Sequence, residues 1–444
     1  MKIAVIGGGS LYTAELARGF LARGDILPLS EIALVDIPEG ADRMAAVSGM
    51  VGRMFAAAGL SVRVTSGFDP NVAIDGASFV LNQFRAGGLA GRSMDEKIPL
   101  RHGVVGQETT GPGGFAMALR SIPIALDMAE RVQKLAPLAW VLNFTNPAGL
   151  VTEALVRHAP KVRTIGLCNI PLIFKRGVAK ALSVPAEQIE LSMIGLNHLS
   201  FARVFLGGKE ITPLILASDL GVKELVANIP GLDPSDPAVQ AMVRLMRRIG
   251  RIPNPYLRYY LMPQAMLSEE VRTLAAGEGT RADQVMRLEA ELLARYREPD
   301  RTEVPAELDQ RGGAWYSEAA VEVIEALITG QRAVLVVNTR NDGATPSLPP
   351  DSVIEVDAAV GADAVSPLAH GVLPPEIAGL VGAVKAYEQL TIEAAVTGER
   401  DTALAALAAH PLVPDVGTAV GLLQDLLEAH RPFVHPGFFG RADA

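Results

Sequence analysis

The chain has 444 residues, of which 49% are hydrophobic and 20% charged, enough apolar side chains for a sizeable core. A net charge of −9 argues against nucleic acid as a partner, because phosphate backbones are bound by basic surfaces. The only cysteine is Cys168, so no intrachain disulfide can form, which fits a reducing compartment. No apolar run reaches the roughly 18 residues of a membrane helix, and the N-terminus lacks the apolar length of a signal peptide. We therefore expect a cytoplasmic protein with no membrane partner.

The first half of the sequence alternates short apolar runs with segments of helical spacing. Strands are predicted at 2–6, 31–36, 61–65, 78–82, 140–143 and 164–168. Helices are predicted at 13–22, 44–58 and 117–134. Such alternation is typical of βαβ units that build a parallel sheet. The sequence therefore predicts an α/β fold for this half.

The second half has a different, helix-rich pattern. Helices are predicted at 223–251, 266–297, 317–329 and 376–427, the last broken at His410-Pro411, with a strand-like run at 333–338. We place the domain boundary just after Pro171. This gives a first domain at 1–172 and a mixed, helix-rich α+β domain at 173–444.

A glycine turn follows the first predicted strand and precedes the first helix. Gly7, Gly8, Gly9 and Ser10 occupy this turn, where glycine lets the backbone approach a pyrophosphate on the helix N-terminus. Asp36, at the end of the second strand, is placed to accept from a ribose hydroxyl and would repel a 2′-phosphate. The pattern predicts a Rossmann-like domain that binds NAD. The third glycine of the usual fingerprint is replaced by Tyr12, so a glycine turn without a ligand is the alternative.

Two soft side chains are candidates for a metal site. Cys168 ends a predicted strand, and His198 lies in Gly-Leu-Asn-His-Leu-Ser. The carboxyl ends of strands face the ligand crevice of an open α/β sheet, where a thiolate and an imidazole can bind a divalent ion. The plainer alternatives are a buried apolar thiol and a hydrogen-bonded structural histidine.

Further polar residues are expected at the same crevice. Tyr256 lies in a tyrosine-rich stretch at 254–260 and is a candidate base, although aromatic packing on a helix is the alternative. Glycine-rich loops carry arginines suited to a phosphate, together with an amide and a carboxylate. Two asparagines end a further strand. These candidates are Arg85, Arg92, Gln107, Glu108, Asn143 and Asn146.

Taken together, these motifs resemble glycoside hydrolase family 4 over nearly the whole chain. The resemblance rests on segments 5–10, 107–111, 143–147, 168–171, 195–198, 254–260, 311–313 and 338–341. It implies a lactate/malate dehydrogenase-like architecture, an NAD that stays bound, and a divalent metal, commonly manganese. It further implies that Cys168 and His198 hold the metal and that Tyr256 is the base. The cofactor-binding residues are then Gly7, Gly8, Gly9, Ser10, Asp36 and Asn143.

The Cys-Asn-Ile-Pro motif at 168–171 is similar to that of the 6-phospho-β-glucosidases. Members of this kind oxidise sugar C3 with NAD, remove the C2 proton, eliminate the C1 substituent, add water and return the hydride. The substrate is then a phosphorylated disaccharide or glucoside. Asn169 cannot act as an acid for the leaving group and is expected to bind a hydroxyl. The expected substrate contacts are Arg92, Gln107, Glu108, Asn146, Asn169 and Arg281, with Arg92 or Arg281 at the 6-phosphate.

Three other functions fit parts of the pattern. An NAD-dependent 2-hydroxy acid dehydrogenase of the lactate/malate type would share the fold but would need no metal. A family member of other anomeric or phosphate specificity would share the mechanism. A sensor that has lost catalysis would lack Cys168, His198 and Tyr256, all of which are present. Family resemblance also implies a homodimer or homotetramer.

Overall fold

A computed structural model of the chain describes residues 1–218, 235–311, 315–362 and 364–440. The strands of this part form one mixed sheet. They are β1 Lys2–Ile6, β2 Glu31–Val35, β3 Arg63–Gly67, β4 Phe79–Asn82, β5 Trp140–Asn143, β6 Arg163–Gly166, β7 Ile189–Leu196, β8 Leu199–Leu206, β9 Lys209–Glu210, β10 Ile252–Pro253, β11 Ala333–Arg340, β12 Val353–Gly361 and β13 Ala364–Pro367.

The N-terminal half of the sheet is parallel, with strands in the order β3-β2-β1-β4-β5-β6. This is the strand order of dinucleotide-binding folds, in which ligands bind at the carboxyl ends where the strand order reverses, here between β1 and β4. The predicted strands of this half are confirmed, with every end within two residues of its predicted position. The prediction succeeds because parallel strands are buried on both faces and therefore appear as continuous apolar runs.

The C-terminal half of the sheet is antiparallel. β11 joins β6 through the pairing of Asn338 with Gly166, and β12, β7, β8 and β10 follow outwards. β7 and β8 form a hairpin whose two-residue connection is Asn197-His198, and His198 has φ +64°. The mixed α+β character of this half was predicted, but of these strands only β11 was. The candidate metal ligand His198 therefore lies at a hairpin turn.

Helices cover both faces of the sheet. They are Tyr12–Leu21, Ala41–Ala57, Pro70–Ile74, Gly88–Arg101, Gly111–Leu135, Ala148–His158, Ile170–Leu182, Thr212–Ala217, Pro237–Ile249, Leu257–Leu261, Pro263–Ala275, Arg281–Tyr296, Tyr316–Thr329, Pro375–Thr397, Arg400–Ala409 and Val416–Ala429. No helix of the described ranges is both long and apolar enough to cross a membrane. The part of the predicted helix 223–251 before residue 235 lies outside the described residues.

The single helix predicted at 266–297 is wrong. The structure has two helices here, Pro263–Ala275 and Arg281–Tyr296. Gly277 and Gly279 lie between them with φ of +77° and +76°, a conformation that ends a helix and that glycine adopts without steric cost. Thr280 then caps the second helix in a capping box with Asp283. Arg281 is therefore the first residue of a new helix instead of a residue inside a long one.

The sheet separates two hydrophobic cores. Alternate residues of β1 enter different cores: Ala4 and Ile6 belong to one, and Ile3 and Val5 to the other. This double burial fixes β1 and its neighbours, and with them the loops that leave their carboxyl ends. The predicted boundary between residues 172 and 173 falls inside the helix Ile170–Leu182 and stays a prediction.

Candidate active site

The glycine turn is pressed against the ends of the neighbouring strands. Gly7 has φ +83°, and a Cβ there would lie 2.7 Å from the backbone of Phe84. A Cβ on Gly8 would lie 2.7 Å from the side chain of Leu34. Larger residues are therefore excluded at these positions, and the backbone of the three glycines at 7–9 faces the crevice without side chains. This cradle at the N-terminus of the helix Tyr12–Leu21 fits a pyrophosphate.

Asp36 follows β2 directly at the edge of this cradle. Its Oδ2 accepts a hydrogen bond of 3.0 Å from the Gly9 amide, and Oδ1 accepts one of 2.9 Å from the Ile37 amide. Arg43 Nη2 lies 3.7 Å from the carboxylate. The position is that of an acidic group that meets the ribose hydroxyls of a dinucleotide, so this part of the site fits NAD.

Asn143 ends β5 but is completely buried. Its amide nitrogen donates to the carbonyls of Thr145 and Ala148 and to the hydroxyl of Thr152. These bonds shape the loop after β5. A direct role of Asn143 in cofactor binding stays a prediction, and the contacts seen in the structure are to the protein itself.

Cys168 and His198 come together although 30 residues separate them. The Sγ of Cys168 lies 3.7 Å from Nε2 of His198. Cys168 lies two residues beyond the end of β6, and the hairpin turn between β7 and β8 presents His198. The described residues contain no group of three or more His, Cys, Asp or Glu side chains arranged to hold a metal. A thiolate and an imidazole can bind a divalent transition-metal ion, and two protein ligands leave coordination positions open for oxygen atoms.

The hydrogen bonds around His198 determine which of its nitrogens is free. Gln107 Oε1 accepts from the hydroxyl of Thr109 at 2.9 Å, so this hydroxyl is the donor. The Thr109 oxygen, 3.0 Å from His198 Nδ1, must then accept the Nδ1 proton. Nε2 is left with a lone pair directed at Cys168. An outer partner that fixes the tautomer in this way is a regular feature of metal-binding histidines. Sequence reasoning missed this role of Thr109.

His198 is buried and Cys168 is half-buried, and removal from water favours the neutral form of each. Burial lowers the pKa of His198 to about 4, so the imidazole is neutral at neutral pH, as a ligand must be. Burial raises the pKa of Cys168 to about 12, and the nearby Glu355 adds to this shift. A divalent ion would therefore have to displace the thiol proton as it binds.

Tyr256 packs against His198, one of the two candidate metal ligands. Its ring stacks on the imidazole of His198 with centroids 3.9 Å apart and planes at 5°. Asn254 Oδ1 accepts from the Tyr256 amide at 3.1 Å, which holds the start of the short helix Leu257–Leu261. Burial raises the pKa of Tyr256, the acidic neighbours Tyr259 and Glu108 raise it further, and Arg92 opposes them. The phenol is therefore protonated until positive charge arrives nearby.

A charged network lies beside these residues. Glu108 forms ion pairs with Arg85 and with Arg92, the latter at 3.1 Å. Burial would raise the pKa of Glu108, but the two guanidinium groups outweigh burial and lower it to about 2. Arg92 Nε also donates to Glu96 at 2.7 Å, so Arg92 is shared between two carboxylates.

Arg281 is differently placed. It is exposed at the start of the helix Arg281–Tyr296, whose Ala282 amide donates to Glu96 Oε2 at 2.8 Å. Its guanidinium donates to two neutral groups, the carbonyl of Gln310 at 2.5 Å and the side-chain oxygen of Gln284 at 3.3 Å. Arg281 thus keeps a positive charge that its hydrogen-bond partners do not neutralise.

Three predicted substrate contacts remain. Gln107 directs its oxygen to the amides of Thr109 and Thr110, which leaves its nitrogen for any contact with a substrate. Asn146 precedes Pro147 in a cis peptide and is partly buried. Asn169 lies between Cys168 and the helix Ile170–Leu182, at the N-cap position but without a side-chain capping hydrogen bond. All three lie at the ends of β5 or β6 or on the loop that carries Thr109.

Two sequence-family models match the chain. The Family 4 glycosyl hydrolase model matches residues 2–184, and the Family 4 glycosyl hydrolase C-terminal domain model matches residues 193–413. A probable 6-phospho-beta-glucosidase of Bacillus subtilis is 41% identical, and the alignment covers 100% of this chain and 99% of that protein. A phospho-alpha-glucosidase of Clostridium acetobutylicum is 31% identical over 97% of this chain and 98% of that protein.

Solved structures agree with this assignment. The 6-phospho-beta-glucosidase of Thermotoga maritima, solved with manganese, NAD+ and glucose-6-phosphate, superposes with a TM-score of 0.87. It is 39% identical, and the match covers 98% of this chain and 99% of that one. Malate dehydrogenase from Plasmodium falciparum, at 12% identity and a TM-score of 0.54, confirms the dehydrogenase-like fold alone. The chain belongs to the family 4 glycosyl hydrolases.

Proposed function

We propose that the protein hydrolyses 6-phospho-β-glucosides to glucose 6-phosphate and an aglycone, with NAD and a divalent metal, manganese in the first instance, as cofactors. The observation that carries this proposal is the contact of three side chains. Cys168 Sγ lies 3.7 Å from His198 Nε2, and Tyr256 stacks on the same imidazole at 3.9 Å. A soft metal-ligand pair with a phenol on top of it is suited to proton removal next to a metal-held sugar oxygen.

The chain supplies a place for each cofactor. The backbone of Gly7, Gly8, Gly9 and Ser10 would cradle the pyrophosphate of NAD, with Asp36 at the ribose. Cys168 and His198 would hold the metal. When bound, NAD exchanges a hydride with sugar C3, and the metal polarises the neighbouring sugar oxygens and adds positive charge near Tyr256.

Tyr256 would act as the base at C2 of the sugar. Oxidation at C3 makes the C2 proton acidic, so a phenolate is a sufficient base once its own proton is lost. Burial raises the pKa of Tyr256 and so favours the neutral phenol. Positive charge next to the ring lowers that pKa. This dependence makes Tyr256 reactive only in the assembled complex.

The proposed preference for β-linked substrates is inferred from the sequence identities to named relatives and from the residue type at Asn169. The relative named as a β-glucosidase is 41% identical and the one named as an α-glucosidase 31% identical. Asn169, next to Cys168, has no acidic proton to give to a leaving group. We therefore propose that it binds a sugar hydroxyl, and that water protonates the aglycone.

The 6-phosphate would bind at Arg281. Arg92 is shared between the carboxylates of Glu96 and Glu108, whereas the hydrogen bonds of Arg281 to described residues go to neutral oxygens. A dianionic phosphate gains most from a cation that no carboxylate neutralises. Arg92 and Glu108 would then line the sugar site, together with Gln107 and Asn146. We further propose that the protein is cytoplasmic, because its single unpaired thiol fits a reducing compartment. The family resemblance supports a homodimer or homotetramer.

The test is hydrolysis of p-nitrophenyl β-glucoside 6-phosphate with NAD, Mn²⁺ and reductant omitted in turn. We expect nitrophenol release that requires NAD and metal and that accumulates no NADH. Release from an α-linked or non-phosphorylated analogue, with none from this substrate, would contradict the specificity. NADH that accumulates on a 2-hydroxy acid would contradict the reaction itself.

A further inference from the structure

A buried carboxylate lies behind the metal pair and the base. Glu355 is on β12, has 0% exposure, and stands opposite Gly195 of β7 in the sheet. Oε1 accepts a hydrogen bond of 2.9 Å from Asn197 Nδ2, and Oε2 accepts one of 2.5 Å from Ser200 Oγ. Burial raises the pKa of Glu355, whereas these two hydrogen bonds and a third one with Asn338 act in the opposite direction and favour the carboxylate. Hydrogen bonds to an ionised acceptor are shorter and stronger than neutral ones.

The hydrogen bond between Glu355 and Asn197 connects Glu355 to the candidate metal ligands Cys168 and His198. Asn197 precedes His198 in the two-residue turn between β7 and β8, and its side chain also hydrogen-bonds the Cys168 thiol. His198 has φ +64°, a backbone conformation that costs a non-glycine residue free energy and that its surroundings must hold. Glu355 fixes the side chain of Asn197 and, through it, both ends of the ligand pair.

The second hydrogen bond leads to the base. Ser200 Oγ accepts from Asn254 Nδ2 at 3.3 Å while it donates to Glu355. This orients the Asn254 amide so that its oxygen accepts from the Tyr256 backbone at 3.1 Å. Ser200 and Asn254 are both buried, with exposures of 0% and 3%. The amide nitrogens of Asn197 and Asn254 can only donate, so Ser200 Oγ accepts from Asn254 and its own proton is available for Glu355.

We propose that Glu355 is a shared positioning residue, which through Asn197 sets the Cys168–His198 pair and through Ser200 and Asn254 sets Tyr256. The inference rests on the proposed function, in which these three residues bind the metal and remove the proton. Glu355 itself does not touch the reacting atoms. Its effect is to hold the metal ligands and the base in fixed positions relative to each other.

Glu355→Gln is the direct test, because glutamine has the same shape but offers one oxygen and one NH2 group. Its NH2 group must then face either Asn197 Nδ2, which is also a donor, or Ser200 Oγ, whose proton must turn away from residue 355. We expect Mn²⁺ affinity to fall about tenfold or more, as for other outer-shell partners of metal ligands. We also expect kcat at saturating Mn²⁺ to fall about tenfold, with KM for the substrate and the affinity for NAD unchanged.

Two further variants test separately the two hydrogen-bonded connections of Glu355, one to the candidate metal ligands and one to Tyr256. Ser200→Ala removes only the branch to Tyr256, so kcat should fall while Mn²⁺ affinity stays at the wild-type value. Asn197→Ala removes only the branch to the metal pair, so Mn²⁺ affinity should fall. If Glu355→Gln does not fold, these two variants still test both halves of the inference.

Asp357→Asn is the matched control. Asp357 is a buried acid on the same strand and face, bonded to His370 and to the Met193 amide away from the site. Mn²⁺ binding is measured by spectroscopic titration in the absence of substrate. Turnover is measured separately with the phosphorylated substrate. Loss of only one property in Glu355→Gln, or equal losses in Asp357→Asn, would overturn the inference. Lack of wild-type turnover would instead count against the proposed function, and the Mn²⁺ titrations would still decide the role of Glu355.

Discussion

The phenol ring of Tyr256 lies parallel to the imidazole of His198, with centroids 3.9 Å apart and an angle of 5° between the planes. The candidate base and a candidate metal ligand are therefore packed as one unit. A change at one ring is expected to move the other. Experiments on either residue must consequently measure binding and turnover separately.

Replacement of Tyr256 by phenylalanine should separate chemistry from packing. The ring stack on His198 is retained, but the hydroxyl that would take the C2 proton is lost. We expect kcat to fall at least about 100-fold, the usual contribution of a general base, with NAD affinity unchanged. Tyr259→Phe is the control, since Tyr259 accepts from Arg258 at 3.1 Å and does not touch His198. A larger loss in Tyr259→Phe would mean that the base is misassigned.

Thr109 is expected to control metal affinity through the tautomer of His198. In Thr109→Ala no hydroxyl accepts the Nδ1 proton, so the proton can move to Nε2 and block the lone pair. We expect Mn²⁺ affinity to fall about 10- to 100-fold. Thr109→Ser keeps the hydroxyl and should therefore keep the Mn²⁺ affinity of the wild type. Equal Mn²⁺ affinities of the alanine and serine variants in the same titration would rule out this role.

The phosphate assignment predicts an effect confined to Arg281. Arg281→Gln removes the charge but keeps a hydrogen-bond donor, and we expect the inhibition constant of glucose 6-phosphate to rise about 10- to 100-fold. Arg287 is a suitable control, because it lies on the same helix and donates to the Glu278 carbonyl. The assignment fails if Arg287→Gln weakens product binding as much, or if Arg281→Gln leaves it unchanged.

Glu15 should make stability depend on pH. Burial raises its pKa to about 7 from an ordinary 4.5, although Ser317 and Arg18 act in the opposite direction. The folded protein therefore holds a proton that the unfolded chain releases above pH 4.5. The stability that this proton provides is complete below 4.5 and is lost as pH rises through 7.

The Glu15→Gln variant has no carboxyl group at this position, so it does not lose stability through ionisation of residue 15 as the pH rises. Its unfolding free energy relative to the wild type should therefore increase between pH 5 and pH 8, by at most about 3 kcal/mol. Thermal or denaturant unfolding of both proteins at the two pH values measures the difference. A difference that does not change with pH would show that Glu15 ionises normally in the folded state.

The sequence predicts the parallel half of the sheet better than the antiparallel half, for a physical reason. β1 and β5 are apolar runs, and both were predicted with the correct bounds. β12 is also almost entirely buried, but it carries Glu355 and Asp357, two acids that interrupt the apolar pattern. These acids are buried because side chains from other strands bond to them. A single sequence does not contain that information.

The same limit applies to the candidate site. Cys168, His198 and Tyr256 were singled out from local motifs, and the structure brings them into contact. The partnership of Thr109 with His198 joins residues 89 positions apart and has no local signal. The sequence also did not show which of Arg92 and Arg281 would bind the phosphate, because both are arginines in polar segments. The ion pairs seen in the structure distinguish them. Residue types are visible in the sequence, whereas their protonation and partners follow from packing.

Hydrolysis in D2O tests the central claim, cleavage by proton removal at C2, most directly. The product glucose 6-phosphate is isolated and examined by NMR for deuterium at C2, with substrates deuterated at C2 or C3 run in parallel for rate. We predict deuterium at C2 of the product and a slower rate with at least one deuterated substrate. A product that keeps all of its original hydrogen at C2, with no isotope effect at either carbon, would contradict the account and indicate direct displacement at C1.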